Sequence, residues 1–270
     1  MVVTGHQSSE ASGQRVWQRG DAAYAPPVHA PATDQLSLEF AAESPRAPID
    51  LRPMLPRTAR ELPTDGRHLF DPHWGGPRTL AHVGPGGARL IVGAREVTAA
   101  FAEVVAALAG AAPRGTILDG ELVVPDAAGR LDRPALRRRL HGRTGAAVAT
   151  ATFVVSDLPW LSGWPLLSEP FRLRRERLTA LGIGRDHLVA PAPLAGDGAA
   201  LLAACRERGL EGVIARRLDS PYLPGVRSRL WQLVRATFGP DDAEPILDQG
   251  SERAGTLLAL LRTLPFGGEP

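Results

Sequence analysis

The sequence predicts an α+β fold of antiparallel sheets with separately packed helices. Short apolar runs that are bounded by glycine or proline indicate strands. A Gly-Pro-Gly-Gly turn at residues 84–87 joins two of these runs as a hairpin. Other stretches repeat apolar residues with the spacing of an amphipathic helix. Because strands and helices alternate irregularly, the order does not fit a parallel βαβ repeat.

The predicted strands follow one another through the middle of the chain. They cover residues 68–72, 78–83, 87–93, 116–126, 151–161, 210–218 and 229–236. The run 116–126 carries Asp-Gly at its centre, so we expect that strand to break there and interpret Asp119 as a turn residue. Three tryptophans, Trp160, Trp164 and Trp231, are predicted to anchor the core.

Four helices are predicted between the strands, over residues 96–110, 133–140, 171–182 and 197–209. Apolar residues of the first fall on one face: Val97, Phe101, Val104, Val105 and Leu108. Gly182 and Gly209 end the last two helices, as C-terminal glycines commonly do. The single cysteine, Cys205, lies in the fourth helix and is predicted to be a small core residue.

Composition divides the chain into three parts. Residues 1–50 are rich in Ser, Ala, Pro, Gln and Gly, and we expect a disordered arm. Residues 51–236 form the predicted ordered domain, and residues 237–270 form a tail with one helix. Since no apolar run approaches the roughly 20 residues that span a bilayer, and no signal pattern opens the chain, we expect a cytoplasmic protein.

The charged residues exclude one kind of chemistry. All 31 Lys+Arg residues are arginine, so the chain offers no lysine amine for covalent catalysis. His68, His82, His141 and His187 lack the spacing of zinc ligands, and we interpret them as surface histidines.

Four segments carry a resemblance to a known family. They are FDPHWGGPR (residues 70–78), LDGELVV (118–124), FVVSDLPWLSGWPLLSEPFRLRRERLTAL (153–181) and EGVIARRLDSPYLPGVRSRLWQLVR (211–235). In this order, and after Pro-Met-Leu at residues 53–55, they resemble the nucleotidyltransferase domain of ATP-dependent DNA ligases. The likeness is greatest to the bacterial end-joining ligases. It implies a ligase-type nucleotidyltransferase fold with ATP and Mg²⁺ as cofactors and nicked or broken duplex DNA as partner.

The first segment departs from the family pattern Lys-x-Asp-Gly-x-Arg. His73 stands at the position of the lysine that attacks the α-phosphate of ATP, and Gly75 stands at the aspartate. Arg78 remains and is implied to contact nucleotide. In the family that the chain resembles, an oligonucleotide-binding domain usually follows. The residues after Ala236 are too few to form one, so none is expected here.

Other positions keep or lose their implied roles one by one. By resemblance Glu121 would bind ribose or a metal-bound water, and Glu211 would be a metal carboxylate. Arg216 and Arg235 replace lysines that contact the nucleotide, while Ser156 replaces the ring that stacks on adenine. The alternative for both glutamates is that they cap strand ends and pair with neighbouring arginines. Arg217, Arg227 and Arg229 lie in the segment that resembles the nucleic-acid face, and a contact with the phosphate backbone is predicted.

Three functional hypotheses remain open from the sequence. The leading one is a DNA-repair protein with a ligase-like domain that has lost lysine adenylylation but keeps some nucleotide or DNA binding. The second is an active transferase with His73 as AMP acceptor, set against His73 as a solvent-facing loop residue. The third is a non-catalytic scaffold that meets a repair-protein partner through the arm and the tail.

Overall fold

A computed structural model of the chain describes residues 47–126, 131–142 and 149–236. Most of the predicted arm 1–50 and all of the predicted tail 237–270 lie outside the described residues. In the described part no helix is long and apolar enough to cross a membrane.

Thirteen strands and four α-helices make up the described part of the fold. The strands are β1 (Leu55–Thr58), β2 (His68–His73), β3 (Arg78–Gly84), β4 (Gly87–Val92), β5 (Arg95–Glu96), β6 (Thr116–Val123), β7 (Thr152–Leu161), β8 (Trp164–Pro165), β9 (Gly184–Arg185), β10 (Leu188–Val189), β11 (Leu194–Ala195), β12 (Gly212–Arg217) and β13 (Arg227–Arg235). The helices are α1 (Ala102–Ala111), α2 (Arg133–Leu140), α3 (Phe171–Ala180) and α4 (Gly198–Glu207). A short 3₁₀ turn, Thr98–Phe101, leads into α1. The predicted α+β class is confirmed.

The first sheet has five strands in the order β1-β13-β12-β2-β11. Strand β12 pairs antiparallel with both β2 and β13, so His73 and Arg235 both lie opposite Gly212 in neighbouring ladders. Helix α4 covers this sheet, with Leu201 and Cys205 buried in the same apolar cluster as Phe70. The prediction that Cys205 is a core residue is confirmed, and burial raises the pKa of its thiol to about 12.

The second sheet has eight strands in the order β5-β4-β3-β6-β7-β10-β9, with β8 paired to β7. Its main core lies under α1, where Phe101, Val104 and Leu108 are fully buried, as the helical spacing predicts. Val105 of the same predicted face is only partly buried.

Two expectations about this sheet are wrong. Strand β6 does not break at Asp-Gly; it runs on through a register irregularity at Asp119, so the carboxylate points inward from a strand. Trp160 and Trp231 are buried as predicted, but Trp164 is 54% exposed because it follows the tight turn of the β7–β8 hairpin.

The site-bearing residues come from both sheets. Strands β2 and β12 of the first sheet contribute His73 and Arg216, while β6 and β7 of the second contribute Glu121 and Ser156. Hydrogen bonds join members of the two sets, so the two sheets meet along a polar seam.

Candidate functional site

His73 lies between two carboxylates at the end of β2. Its Nδ1 is 3.0 Å from Glu121 Oε1, and its Nε2 is 3.2 Å from Glu211 Oε2. The side chain is 19% exposed. The interpretation of His73 as a solvent-facing loop residue is therefore wrong; the imidazole is a bridge between the two sheets.

The remaining oxygens of both carboxylates are also hydrogen-bonded. The backbone N–H of Gly76 donates to Glu121 Oε2 at 3.2 Å, and Arg133 from α2 donates to Glu211 Oε1 at 2.6 Å. Each of the four carboxylate oxygens thus lies within 3.2 Å of a nitrogen of the protein. We call His73, Glu121, Glu211 and Arg133 the rim cluster.

The electrostatics of the rim cluster favour a charged imidazole. Burial alone would lower the pKa of His73, but Coulomb attraction to Glu121 and hydrogen bonds to both glutamates raise that pKa to about 9. The hydrogen bond from His73, together with its charge and that of Arg133, lowers the pKa of Glu211 to about 2 against the opposing effect of burial. Near neutral pH the ring is an imidazolium whose two N–H groups both donate.

The two glycines after Trp74 bring the loop against β6. At Gly76 a side-chain Cβ would lie 2.0 Å from the carbonyl oxygen of Leu122, so only glycine allows this approach. Gly75 has φ +80°, and a Cβ there would lie 2.6 Å from Arg133 and from the Glu211 carboxyl. The space of an aspartate at this position is therefore taken up by the rim cluster itself.

Arg78 and Asp119 form a second, deeper group. Arg78 donates to both oxygens of Asp119, at 2.6 and 2.8 Å, and the Tyr222 hydroxyl donates to the same carboxylate at 2.6 Å. Asp119 is fully buried. Burial alone would lower the pKa of Arg78, but the charge of Asp119 and its hydrogen bonds to Arg78 raise that pKa, so the guanidinium stays charged. Arg78 is thus held by an internal carboxylate at the position where the resemblance implies a nucleotide contact.

A buried ion pair between α3 and β7 lies next to this group. Arg174 donates to both oxygens of Asp157 at 2.9 and 2.8 Å, and neither side chain is exposed. Arg78, Asp119, Asp157, Arg174 and Tyr222 together are called the inner cluster.

Arg216 is also held inside the protein. It donates to Asp71 of β2 and, at 3.2 Å, to the Ser156 hydroxyl, and its guanidinium lies 4.8 Å from the centre of the Trp231 ring. The residue is 1% exposed. Arg216, which the resemblance implies to contact nucleotide, is therefore hydrogen-bonded to Ser156, which stands at the position of the adenine-stacking ring.

The remaining predicted residues are spread over the first sheet. Arg235 is half-buried beside the rim cluster, opposite Gly212. Arg217 pairs with Asp219 at 2.6 Å, Arg227 donates to the Pro56 carbonyl at 2.8 Å, and Arg229 is exposed.

These three arginines do not join the rim cluster. In the β2–β12 ladder Arg217 lies opposite His68, five residues before His73, which at about 3.3 Å per residue is about 16 Å along the strand. The predicted nucleic-acid contacts and His73 lie at opposite ends of the sheet.

The residues implied to hold Mg²⁺ do not fit a metal ion. Glu121 and Glu211 face a histidine ring rather than each other, and all their oxygens are engaged. Among the described residues no group of three or more His, Cys, Asp or Glu side chains is arranged to hold a metal.

His68, one of the histidines predicted at the surface, is buried and pairs with Asp65 at 2.8 Å.

Three residues of the site, Asp71, Arg133 and Tyr222, were not predicted from the sequence, and only Asp71 carried a sequence signal for its position. Asp71 precedes His73 by two positions, and the two-residue period of a strand places both on one face. Arg133 carried no such signal, because its partner Glu211 lies 78 residues further along the chain. Tyr222 lies in the Ser-Pro-Tyr linker, but nothing in the sequence ties it to Asp119.

Comparison with known sequences gives a consistent picture. A family model described as the ATP dependent DNA ligase domain matches residues 65–234. The chain is 36% identical over 163 residues to the multifunctional non-homologous end joining DNA repair protein LigD of Mycobacterium tuberculosis, covering 60% of this chain and 21% of that protein. It is 35% identical over 191 residues to DNA ligase C1 of Mycolicibacterium smegmatis, covering 66% and 54%. The chain thus spans about a fifth to a half of these relatives.

Comparison with solved structures agrees. A mycobacterial DNA ligase D complexed with ATP and MES is 32% identical, with a TM-score of 0.58, over 68% of this chain and 60% of that one. The ligase domain of Mycobacterium tuberculosis LigD also gives a TM-score of 0.58, at 31% identity over 68% of this chain and 59% of that one. The predicted ligase-type nucleotidyltransferase fold is confirmed.

Proposed function

The chain belongs to the ATP-dependent DNA ligase domain family, and we propose that it is a non-adenylylating member that serves end-joining DNA repair by binding DNA. The single observation that carries this proposal is the bridging imidazole of His73. At the position of the attacking lysine, one ring nitrogen is hydrogen-bonded to Glu121 and the other forms an ion pair with Glu211. A group held in this way holds two sheets together but does not attack phosphorus.

A nucleophile must offer a lone pair to the phosphorus atom. Formation of an N–P bond to the α-phosphate, with pyrophosphate leaving, requires a neutral nitrogen directed at the substrate. Both nitrogens of His73 point at glutamates, and its raised pKa keeps the ring protonated near neutral pH. The geometry therefore supports a structural role and opposes the hypothesis that His73 accepts AMP.

The groups that would hold a nucleotide are likewise engaged within the protein. Arg78 is bound by Asp119, and Arg216 is bound by Asp71 and Ser156. Binding of ATP between the sheets would have to break these buried contacts and leave charges unpaired, which is costly. We therefore propose that the seam between the sheets does not take ATP in the family manner.

DNA binding is supported by the exposed arginines at the far end of the first sheet. Arg227 and Arg229 are both exposed, and Arg227 has only a carbonyl partner among the described residues. Arginine on an open surface contacts phosphate oxygens without distorting the fold. This activity does not need the rim cluster, so it can persist after the loss of adenylylation.

The proposal is tested by the intact mass of the purified chain after incubation with ATP and Mg²⁺ at neutral to basic pH, where a histidine phosphoramidate survives. We expect no mass increase. A gain of one AMP that disappears in His73→Ala would refute the structural role of His73.

DNA binding is tested separately by fluorescence anisotropy with a nicked duplex. We expect binding that weakens with salt and weakens further in Arg227→Gln/Arg229→Gln. The matched control is Arg137→Gln/Arg138→Gln, which removes two exposed arginines from α2. Equal binding by the wild type and the double variant would place the DNA contact elsewhere, and no binding by the wild type would instead favour a scaffold that meets a protein partner.

A further inference from the structure

We propose that a solvent-open cavity beside α3 carries a binding site for a phosphate group, formed by Arg175 and Arg172. The site lies away from the rim cluster and does not depend on the function proposed above. The phosphate could belong to a small phosphorylated molecule or to a nucleic-acid backbone, since both offer the same oxygens to a guanidinium.

Arg175 is a buried cation that forms no ion pair in the part of the chain that the structure describes. It is 4% exposed. Its two terminal nitrogens donate to backbone carbonyls, those of Ser156 at 3.1 Å and Pro191 at 2.5 Å, while its Nε has no hydrogen-bond partner among the described residues. No carboxylate within the described ranges forms an ion pair with it. A buried guanidinium in this state retains donor capacity and charge for an anion.

The neighbouring arginines show that this is unusual within the fold. Arg174 is paired with Asp157, and Arg216 is paired with Asp71. Three buried arginines therefore share two carboxylates, which leaves one positive charge in excess at Arg175. Burial lowers the pKa of Arg175, but arginine remains protonated in proteins.

Arg175 lines a cavity of about 550 Å³ that is open to solvent. The other lining residues are Leu69, Arg172, Glu176, Thr179 and Leu218. Arg172 lies one turn before Arg175 on α3, is exposed, and has no side-chain partner among the described residues. Because residues three apart share a helix face, the two guanidinium groups can approach one anion from the same side.

Glu176 opposes this charge and sets the strength of the site. It lines the same cavity and is exposed. Its carboxylate repels a bound phosphate, so the site should be weak in the wild type and tighter when this charge is removed. A general effect of anions on the protein surface would not show this dependence on one glutamate.

The test is calorimetric titration of the full chain with inorganic phosphate, in chloride buffer at matched ionic strength. We expect saturable binding that Arg172→Gln weakens about tenfold, the effect of one hydrogen bond to a charged group. Glu176→Gln should tighten binding, and Arg138→Gln on α2 should leave it unchanged. Because replacing the buried Arg175 can prevent folding, Arg172→Gln carries the test.

Two outcomes would overturn the proposal: the absence of saturable phosphate binding, or equal binding by the wild type and Arg172→Gln. Competition by unphosphorylated oligothymidine, which offers only phosphodiesters, would assign the site to a nucleic-acid backbone. Displacement by phosphate monoesters alone would assign it to a small phosphorylated molecule.

Discussion

The inner cluster and the rim cluster differ in the burial of their charged side chains and in the cation that neutralises their carboxylates. In the inner cluster the carboxylates of Asp119 and Asp157 are fully buried and each is held by a bidentate arginine. In the rim cluster His73, Glu211 and Arg133 are partly exposed while Glu121 is buried, and the central cation is His73. The inner cluster ties α3 and the β12–β13 connection to the second sheet through Arg174 and Tyr222.

The difference shows which charges the fold itself requires. A buried aspartate with a bidentate partner cannot lose that partner without leaving an unpaired charge. At the rim, water can reach the charges, so residue types there can change at lower cost. Two residues that depart from the ligase pattern, His73 and Gly75, lie at the rim or beside it, whereas Arg216 and Ser156, which also depart from it, are hydrogen-bonded to each other inside the protein. The carboxylates remain, and a protonated imidazole now supplies the positive charge between them.

The largest expected effect comes from breaking the inner cluster. Arg174→Met leaves Asp157 buried without a counter-ion and should destabilise the protein by about 3–5 kcal/mol. Urea unfolding at pH 7 measures this. The matched control is Arg177→Met on the same helix, whose partner Glu169 is solvent-accessible and whose loss should cost less than about 1 kcal/mol. Equal losses in the two variants would contradict the distinction between buried and exposed pairs.

The next effect concerns His73 and depends on pH. Its pKa is raised from 6.5 to about 9, so its contribution is complete below pH 6.5 and is lost as pH rises through about 9. That shift corresponds to about 3 kcal/mol, before allowance for solvent screening at a partly exposed site. We expect His73→Ala to be destabilised at pH 6 and to approach the wild type above pH 9, as measured by urea unfolding across this range.

Glu121→Gln is a second test of the same interaction. It removes the carboxylate that contributes most to raising the pKa of His73, so the fall in stability between pH 6.5 and 9 should flatten. A wild-type protein whose stability does not change across this range would show that His73 is not the central cation of the rim cluster.

The sequence predicted the fold better than the site. The helical spacing of Phe101, Val104 and Leu108 and the glycine punctuation were sufficient to identify the four helices and seven of the thirteen described strands, because those signals are local. The short strands β1, β5, β8, β9, β10 and β11 were not predicted. The bridging role of His73 was not predictable, since it depends on Glu121 and Glu211, which reach it from 48 and 138 residues away. Asp119 was misjudged because Asp-Gly is a turn signal that strand pairing on both sides overrides.

A smaller effect is expected from the loop beside the rim cluster. Gly75→Ala forces a side chain into positive φ and crowds Arg133 and Glu211, and should cost about 1–3 kcal/mol. Gly66→Ala is the matched control: it has φ +69°, but nothing lies within 4 Å of its Cβ position. The difference between the two variants in urea unfolding isolates the crowding. If both variants lose the same stability, the side chains of Arg133 and Glu211 move aside at no cost, and an aspartate could be accommodated at position 75.

The smallest expected effect is the loss of Arg133, the outermost member of the rim cluster. Its ion pair with Glu211 is short, at 2.6 Å, but both side chains are about one-third exposed, so Arg133→Ala should cost only about 0.5 kcal/mol at pH 7.

The sharper readout is the pKa of Glu211, which is lowered from 4.5 to about 2. Stability from this carboxylate is present above pH 4.5 and is lost as pH falls through about 2. Because the hydrogen bond from His73 lowers this pKa more than Arg133 does, carboxyl-carbon NMR titration should show a larger upward shift in His73→Ala than in Arg133→Ala. The reverse order would move the central cation of the rim from His73 to Arg133.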